Sequence, residues 1–205
     1  MVMFFLAVVA FATTAAAAAA AVLPISIDVA SRNFVDSLGR TRIFHGMNAV
    51  YKIAPWFPAT TGFDSTTTLS RIDAKNLKSW GLNLVRLGVM WPGVEPTQGN
   101  YNSSYLDEIQ TIVDNLQSEE IYVILDFHQD IFHRKYCGEG VPDYVYELCK
   151  SSEPEGTAPF PQPAVNASYP LDEDGNPTLE SCLSKSFITY YFSAEVRPSC
   201  GSFSV

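Results

Sequence analysis

Apolar runs and apolar stripes alternate along this chain. Arg42–Tyr51 (RIFHGMNAVY) is a short apolar run broken by Gly46 and reads as a strand. From Leu69 to Trp80, the apolar residues Leu69, Ile72, Leu77 and Trp80 recur at approximately helical spacing, with Thr68 placed to cap the start and Gly81 just past the end. Leu82–Met90 (LNLVRLGVM) is a second buried strand, closed by Trp91-Pro92-Gly93. A second helix is predicted where Ser104 stands as cap with Asp107 three residues on, its stripe formed by Leu106, Ile109, Val113 and Leu116. Ile121–Asp126 is the third strand. Ahead of all three, Phe34–Ile43 carries Asp36, Ser37 and Gly39 between apolar ends, a β-hairpin pattern.

Strand, helix, strand, helix, strand is a succession of βα units, and strand starts recur at intervals of roughly forty residues, as in a barrel with long loops. The predicted fold class is α/β: about three βα units forming the N-terminal portion of a (β/α)8 TIM barrel, truncated against the roughly 250 residues such a barrel needs. A doubly wound sheet is the alternative, weakened because no glycine-rich phosphate fingerprint follows the first strand. From Lys150 to Pro177 six prolines (Pro154, Pro159, Pro161, Pro163, Pro170 and Pro177) oppose regular structure. A loop of that length in a compact domain is usually functional.

Composition narrows the partners. With 205 residues, 47% of them hydrophobic, the chain is able to bury a core. A net charge of -9 without a basic stripe argues against nucleic acid and suits an uncharged or weakly acidic substrate. Val2–Leu23 is apolar apart from Thr13 and Thr14 and rich in alanine, so residues 1–21 read as a secretory signal peptide in preference to an uncleaved anchor.

Candidate chemistry concentrates in Tyr122–Tyr144, YVILDFHQDIFHRKYCGEGVPDY. The apolar residues Tyr122–Leu125 read as a strand buried on both faces, and the chain then turns polar at Asp126, His128 and Asp130, which share one parity. In parallel α/β architectures ligands bind at that end of the strands. Arg86, inside an apolar strand, needs a partner such as Asp126 to be buried there. His45 and His133 read as surface or packing residues. Neither C-x-x-C nor H-E-x-x-H spacing is present, so the sequence implies no metal, and no cofactor.

The segment DFHQDIFHRKYCGEGVPDY resembles the signature of endoglycoceramidases and related glycosylceramidases, a branch of glycoside hydrolase family 5. Tyr144 stands where that family tends to have Trp. The likeness runs from about Ile25 to about Ala194, which implies a partial catalytic domain over residues 25–194 and a divergent tail over 195–205. It also implies a hairpin that plugs the barrel bottom, a Pro-rich excursion over the active-site face and an aromatic helix at Phe187–Ala194. On this resemblance Lys52 and Asp130 bind sugar hydroxyls, His128 matches the family's histidine after strand three, and Arg86 holds the nucleophilic glutamate. Asp126, Glu139 and Tyr144 are further loop contacts. Retaining hydrolysis needs two carboxyl groups, which the family places on strands four and seven. Glu95 and Glu139 match neither and read as structural, so the chain as written is expected to lack the catalytic pair and not to hydrolyse. The implied substrate is a glycolipid or other glycoside, cleaved between sugar and ceramide, with peripheral membrane contact through the lipid. A steryl-β-glucosidase, a β-glucan hydrolase and a non-catalytic glycolipid-binding fragment are the alternatives.

Four cysteines allow three pairings. Cys137 with Cys149 would staple the GEGVP turn, leaving Cys182 and, in the tail, Cys200. Asn102-Ser-Ser and Asn166-Ala-Ser are glycosylation sequons. With the leader they point to a secreted or lysosome-like compartment.

Overall fold

The computed structural model describes residues 22–151 and 170–184. The leader, Asn166, the Phe187–Ala194 segment and the 195–205 tail lie outside them. Three parallel strands, β3 (Gly46–Ala49), β4 (Leu84–Met90) and β5 (Tyr122–His128), form one sheet in chain order. Gly46, Leu84 and Tyr122 stand opposite one another, so each βα unit advances by one strand without slip. Gly46 opens its strand and does not break it: a Cβ there would lie 2.0 Å from the Leu84 carbonyl oxygen, so only glycine permits that approach.

Two helices cover one face. α1 (Arg71–Ser79) is capped by Ser70, with Asp73 completing a capping box, and not by the expected Thr68; the Thr68 hydroxyl instead donates to Asp73. α3 (Ser103–Gln117) is capped by Asn102, whose Oδ1 accepts the Tyr105 N–H, and not by Ser104. The buried face is Tyr105, Ile109, Ile112 and Leu116, one position off the expected stripe at two of its four places, and Leu106 is left 42% exposed. These residues pack with Leu69, Ala74, Leu77, Val85, Leu87 and Ile121 into the main core. A Pro-containing helical turn, α2 (Trp91–Val94), follows β4 directly.

β1 (Ile25–Asp28) pairs antiparallel with β2 (Asn33–Asp36). The predicted hairpin turn follows β2, closed by a Val35–Thr41 bridge around Gly39 at φ 72°. Asp36 holds that turn together: burial opposes its charge, but the Arg40 and Leu38 amides and the Arg40 and Arg42 guanidinium groups bring its pKa down to about 2.

Two expectations are corrected here. β5 is not buried on both faces: Ile124, Leu125 and Phe127 are exposed, the last by 63%, because β5 is the edge of the described sheet. Cys137 pairs with Cys182 and not with Cys149, which is itself disulfide-bonded. The Cys137–Cys182 bond fastens the GEGVP loop to α5 (Leu179–Leu183), while Cys149 sits on α4 (Asp143–Ser151).

Tyr105 locks the helix layer to the carboxyl end of the sheet. Its hydroxyl accepts the Met90 N–H at 2.9 Å and donates to the Trp56 carbonyl, and its ring fills the space that a side chain at Gly93 would take. Tyr105→Phe should lower unfolding stability by about 1–3 kcal/mol, because it orphans a buried backbone amide. Urea denaturation measures the loss, and faster hydrogen exchange at the Met90 amide locates it.

Candidate functional site

Parallel pairing decides which side chains meet. Arg86 is in register with Ile124, and Asp126 with Gly88, so Arg86 and Asp126 are diagonal neighbours on the face opposite the helices. Arg86 Nη2 lies 2.7 Å from Asp126 Oδ2. Asp126 also meets His128 Nδ1 at 2.7 Å, and His128 Nε2 meets Asp130 Oδ2 at 2.7 Å. His128 thus bridges two carboxylates, using both ring nitrogens. Asp130 in turn receives the ammonium of Lys52, which arrives from the loop after β3. Lys52 Nζ reaches onward to Glu139 Oε1 at 3.3 Å. The sequence candidates Lys52, Arg86, Asp126, His128, Asp130 and Glu139 therefore form one file of charge along the carboxyl ends of three strands.

Glu139 is set there by its glycines. The chain at 138–141 runs against 130–133, with Glu139 N–H donating to the Asp130 carbonyl, Gly140 N–H to Ile131 and Val141 N–H to Phe132. A Cβ at Gly138 would sit 2.3 Å from the Ile131 oxygen and one at Gly140 2.8 Å from the Phe132 oxygen, so glycine on both sides is what permits this approach. Ile131 itself is held at φ 44°, a region costing on the order of 1–3 kcal/mol for such a residue. The Glu139 carboxyl ends up 1% exposed, and neither of its oxygens accepts a hydrogen bond. Burial pushes its pKa up to about 7, against the pull of the Lys52 ammonium.

The remaining candidates are placed apart from this file. Tyr144 packs against Trp91, ring centroids 6.5 Å apart, and its phenol is pushed up first by burial and then by Glu95. Glu95 accepts the Gly99 amide at 2.7 Å and the Trp91 indole at 2.9 Å, which hold its carboxyl below the usual range. It fastens the loop after β4. His133 is a packing residue and not a surface one: 1% exposed, it stacks on Tyr146 and binds Asp143 at 2.9 Å. His45 is exposed. Asn102, a sequon residue, caps α3 on the surface.

Ligand atoms of His128, Asp130 and Glu139 lie within 4.8 Å of one another, a spacing that suits a cation. Sequence motifs did not flag this trio. The Lys52 ammonium already lies against two of the three, so the cation among them is the protein's own.

Parallel strands that deliver carboxylates, an imidazole and an ammonium to their carboxyl ends define part of an α/β barrel. The sequence profile of Cellulase (glycosyl hydrolase family 5) matches residues 44–153, and the chain belongs to that family. It is 42% identical to the endoglycoceramidase of Cyanea nozakii over 173 residues, which are 84% of this chain and 33% of that protein. It is 40% identical to the Hydra vulgaris endoglycoceramidase over 169 residues, 82% and 31% of the two chains. Endo-glycoceramidase II from Rhodococcus sp., solved with a five-membered iminocyclitol, matches at TM-score 0.51 and 24% identity over 79% of this chain and 30% of that one, a likeness of fold. The chain spans about a third of the length of these relatives.

Because the folded protein holds the Glu139 proton more tightly than the unfolded chain, this group's contribution to stability is complete below about pH 4.5 and is lost as pH rises through about 7. Glu139→Gln removes that dependence. The stability difference between variant and wild type should shift in the variant's favour by on the order of 3 kcal/mol between pH 4.5 and pH 8, read by urea denaturation at both.

Proposed function

We propose that this chain supplies the sugar-recognising part of a glycoside hydrolase that cleaves glycosphingolipids between sugar and ceramide. The observation that carries the reading is the Lys52–Asp130–His128 array, braced by Asp126 and Arg86 at the carboxyl ends of the parallel strands. A fixed ammonium next to a fixed carboxylate offers a donor and an acceptor to adjacent hydroxyls, the chemistry by which a sugar ring is oriented. The names of the relatives at 42% and 40% identity support glycosphingolipid as the substrate class.

Retaining hydrolysis takes one carboxyl group as acid and another as nucleophile, about 5–5.5 Å apart. Neither role is assigned to Glu95, which is committed to Trp91 and Gly99, or to Glu139, which is enclosed beneath Lys52. Arg86 braces Asp126, and the family resemblance gives it the further role of holding the nucleophile. The catalytic pair is assigned to strands other than the three described here. Glycosidase activity in the purified 205-residue chain that is abolished by Glu95→Gln or Glu139→Gln would overturn this assignment.

The substrate is tested on the full-length form with glucosylceramide, a lactosylceramide-based ganglioside and cellulose. Cleavage of cellulose alone overturns the lipid reading. In the same form His128→Ala and Asp130→Ala should each lower kcat/KM by about 100- to 1000-fold, some 3–4 kcal/mol of transition-state stabilisation, while Glu95→Gln does far less.

The chain is further proposed to enter the secretory pathway through residues 1–21, and to carry glycan at Asn166. Among the described residues no helix is long and apolar enough to cross a membrane. Mass spectrometry of the protein from its native host, before and after glycan removal, should show a loss mapping to Asn166.

A further inference from the structure

Glu139 has no part in the recognition array as set out above, yet it is the most enclosed charge-bearing group in contact with it. Its carboxyl is wholly buried, neither oxygen accepts a hydrogen bond, and Lys52 Nζ stands at 3.3 Å and His128 Nε2 at 3.6 Å from Oε1. The backbone on both sides is fixed against Asp130, Ile131 and Phe132, which holds the carboxyl beneath Lys52. The Lys52 ammonium therefore faces two carboxyl groups: Asp130, which it contacts directly, and Glu139 behind it. An ionised Glu139 with no hydrogen bond to satisfy it competes for that ammonium; a neutral Glu139 leaves it with Asp130.

We propose that Glu139 is a positioning residue for sugar recognition. Protonated, it leaves Lys52 on Asp130 in the arrangement that engages the glycone's hydroxyls; on losing the proton it draws Lys52 inward, so that binding a β-glucoside takes up one proton from solvent onto Glu139. The inference rests on the reading of Lys52 and Asp130 as sugar ligands.

The surroundings support the coupling. Burial places the Glu139 pKa at about 7, so proton exchange falls between mildly acidic and neutral conditions. On the recognition side it faces Lys52, His128 and Asp130. On the other it borders a cavity of about 680 Å³ whose charged lining comprises His133 and Asp143, paired at 2.9 Å, Arg134 and Asp172, paired at 3.7 Å, and Lys135, Glu147 and Asp174. The pairs within that lining keep their own charges matched, and Lys52 is the cation nearest the Glu139 carboxyl among the ion pairs of the described residues.

The test is calorimetric titration of the purified chain with methyl β-D-glucopyranoside at pH 5.5, 6.5, 7.5 and 8.5, at each pH in two buffers of different ionisation enthalpy. The expected result is constant affinity up to about pH 6.5 and then weakening that approaches tenfold per pH unit, with proton uptake rising towards one per ligand bound. In Glu139→Gln, a neutral carboxamide of the same shape, affinity should match that of the wild type at pH 5.5 and stay flat, with no proton uptake. A carboxyl-carbon NMR titration of Glu139 in the wild type, which depends on no variant folding, should show a midpoint near neutrality without the glycoside and a higher one when the glycoside saturates. Binding without proton uptake, or uptake retained in Glu139→Gln, overturns the inference and leaves the sugar-binding reading standing. No binding at any pH, with the chain folded by its NMR spectrum, overturns that reading and the inference with it.

Discussion

Charge confined to the end of a sheet must be matched at every step, and that constraint organises this protein. Arg86, Asp126, His128, Asp130, Lys52 and Glu139 are each within 3.3 Å of the next. No member is isolated in a low-dielectric site, where a lone ion would be costly. Removing one would leave its neighbours uncompensated, so the file behaves as a unit. The weak point is its inner end, where Glu139 Oε1 has Lys52 at 3.3 Å and His128 at 3.6 Å but no hydrogen bond.

The scaffold earns this geometry from ordinary packing. The main core between α1, α3 and the sheet fixes β3, β4 and β5 in register, and register decides which side chains share the opposite face. Tyr105 then joins that core to the loops above by hydrogen bonds to Met90 and Trp56. Above the sheet, the GEGVP segment pairs with residues 130–133 and is tied by Cys137–Cys182 to α5. Rigid strands supply four of the six charges or their immediate extension, and loops held at both ends supply Lys52 and Glu139. Such placement on supported elements is what keeps a recognition array within hydrogen-bonding tolerance.

Much of this is legible in the residues. The βα succession follows from apolar periodicity, and the common parity of Asp126, His128 and Asp130 anticipates that both ring nitrogens of His128 find a carboxylate on the same side. Arg86 in an apolar strand signals an acidic partner, and Asp126, part-exposed like Arg86 itself, is that partner. Helix starts were displaced by two residues because several hydroxyl and amide side chains lie near each boundary, and the choice among them depends on which backbone N–H the tertiary packing leaves unpaired. His133 reads from the sequence as either surface or packing, and stacking on Tyr146 makes it packing.

Sequence by itself determined the α/β class, the family and the identity of the residues at the strand ends, because period, parity and local motif are properties of neighbours along the chain. Tertiary structure alone decided the partners. The distance from Lys52 to Asp130 spans 78 positions, and that from Cys137 to Cys182 spans 45. Whether Glu139 is a solvated loop residue or a buried carboxyl beneath Lys52 depends on how its glycines let two backbones approach, and spacing does not encode how far apart two segments of a folded chain come to lie.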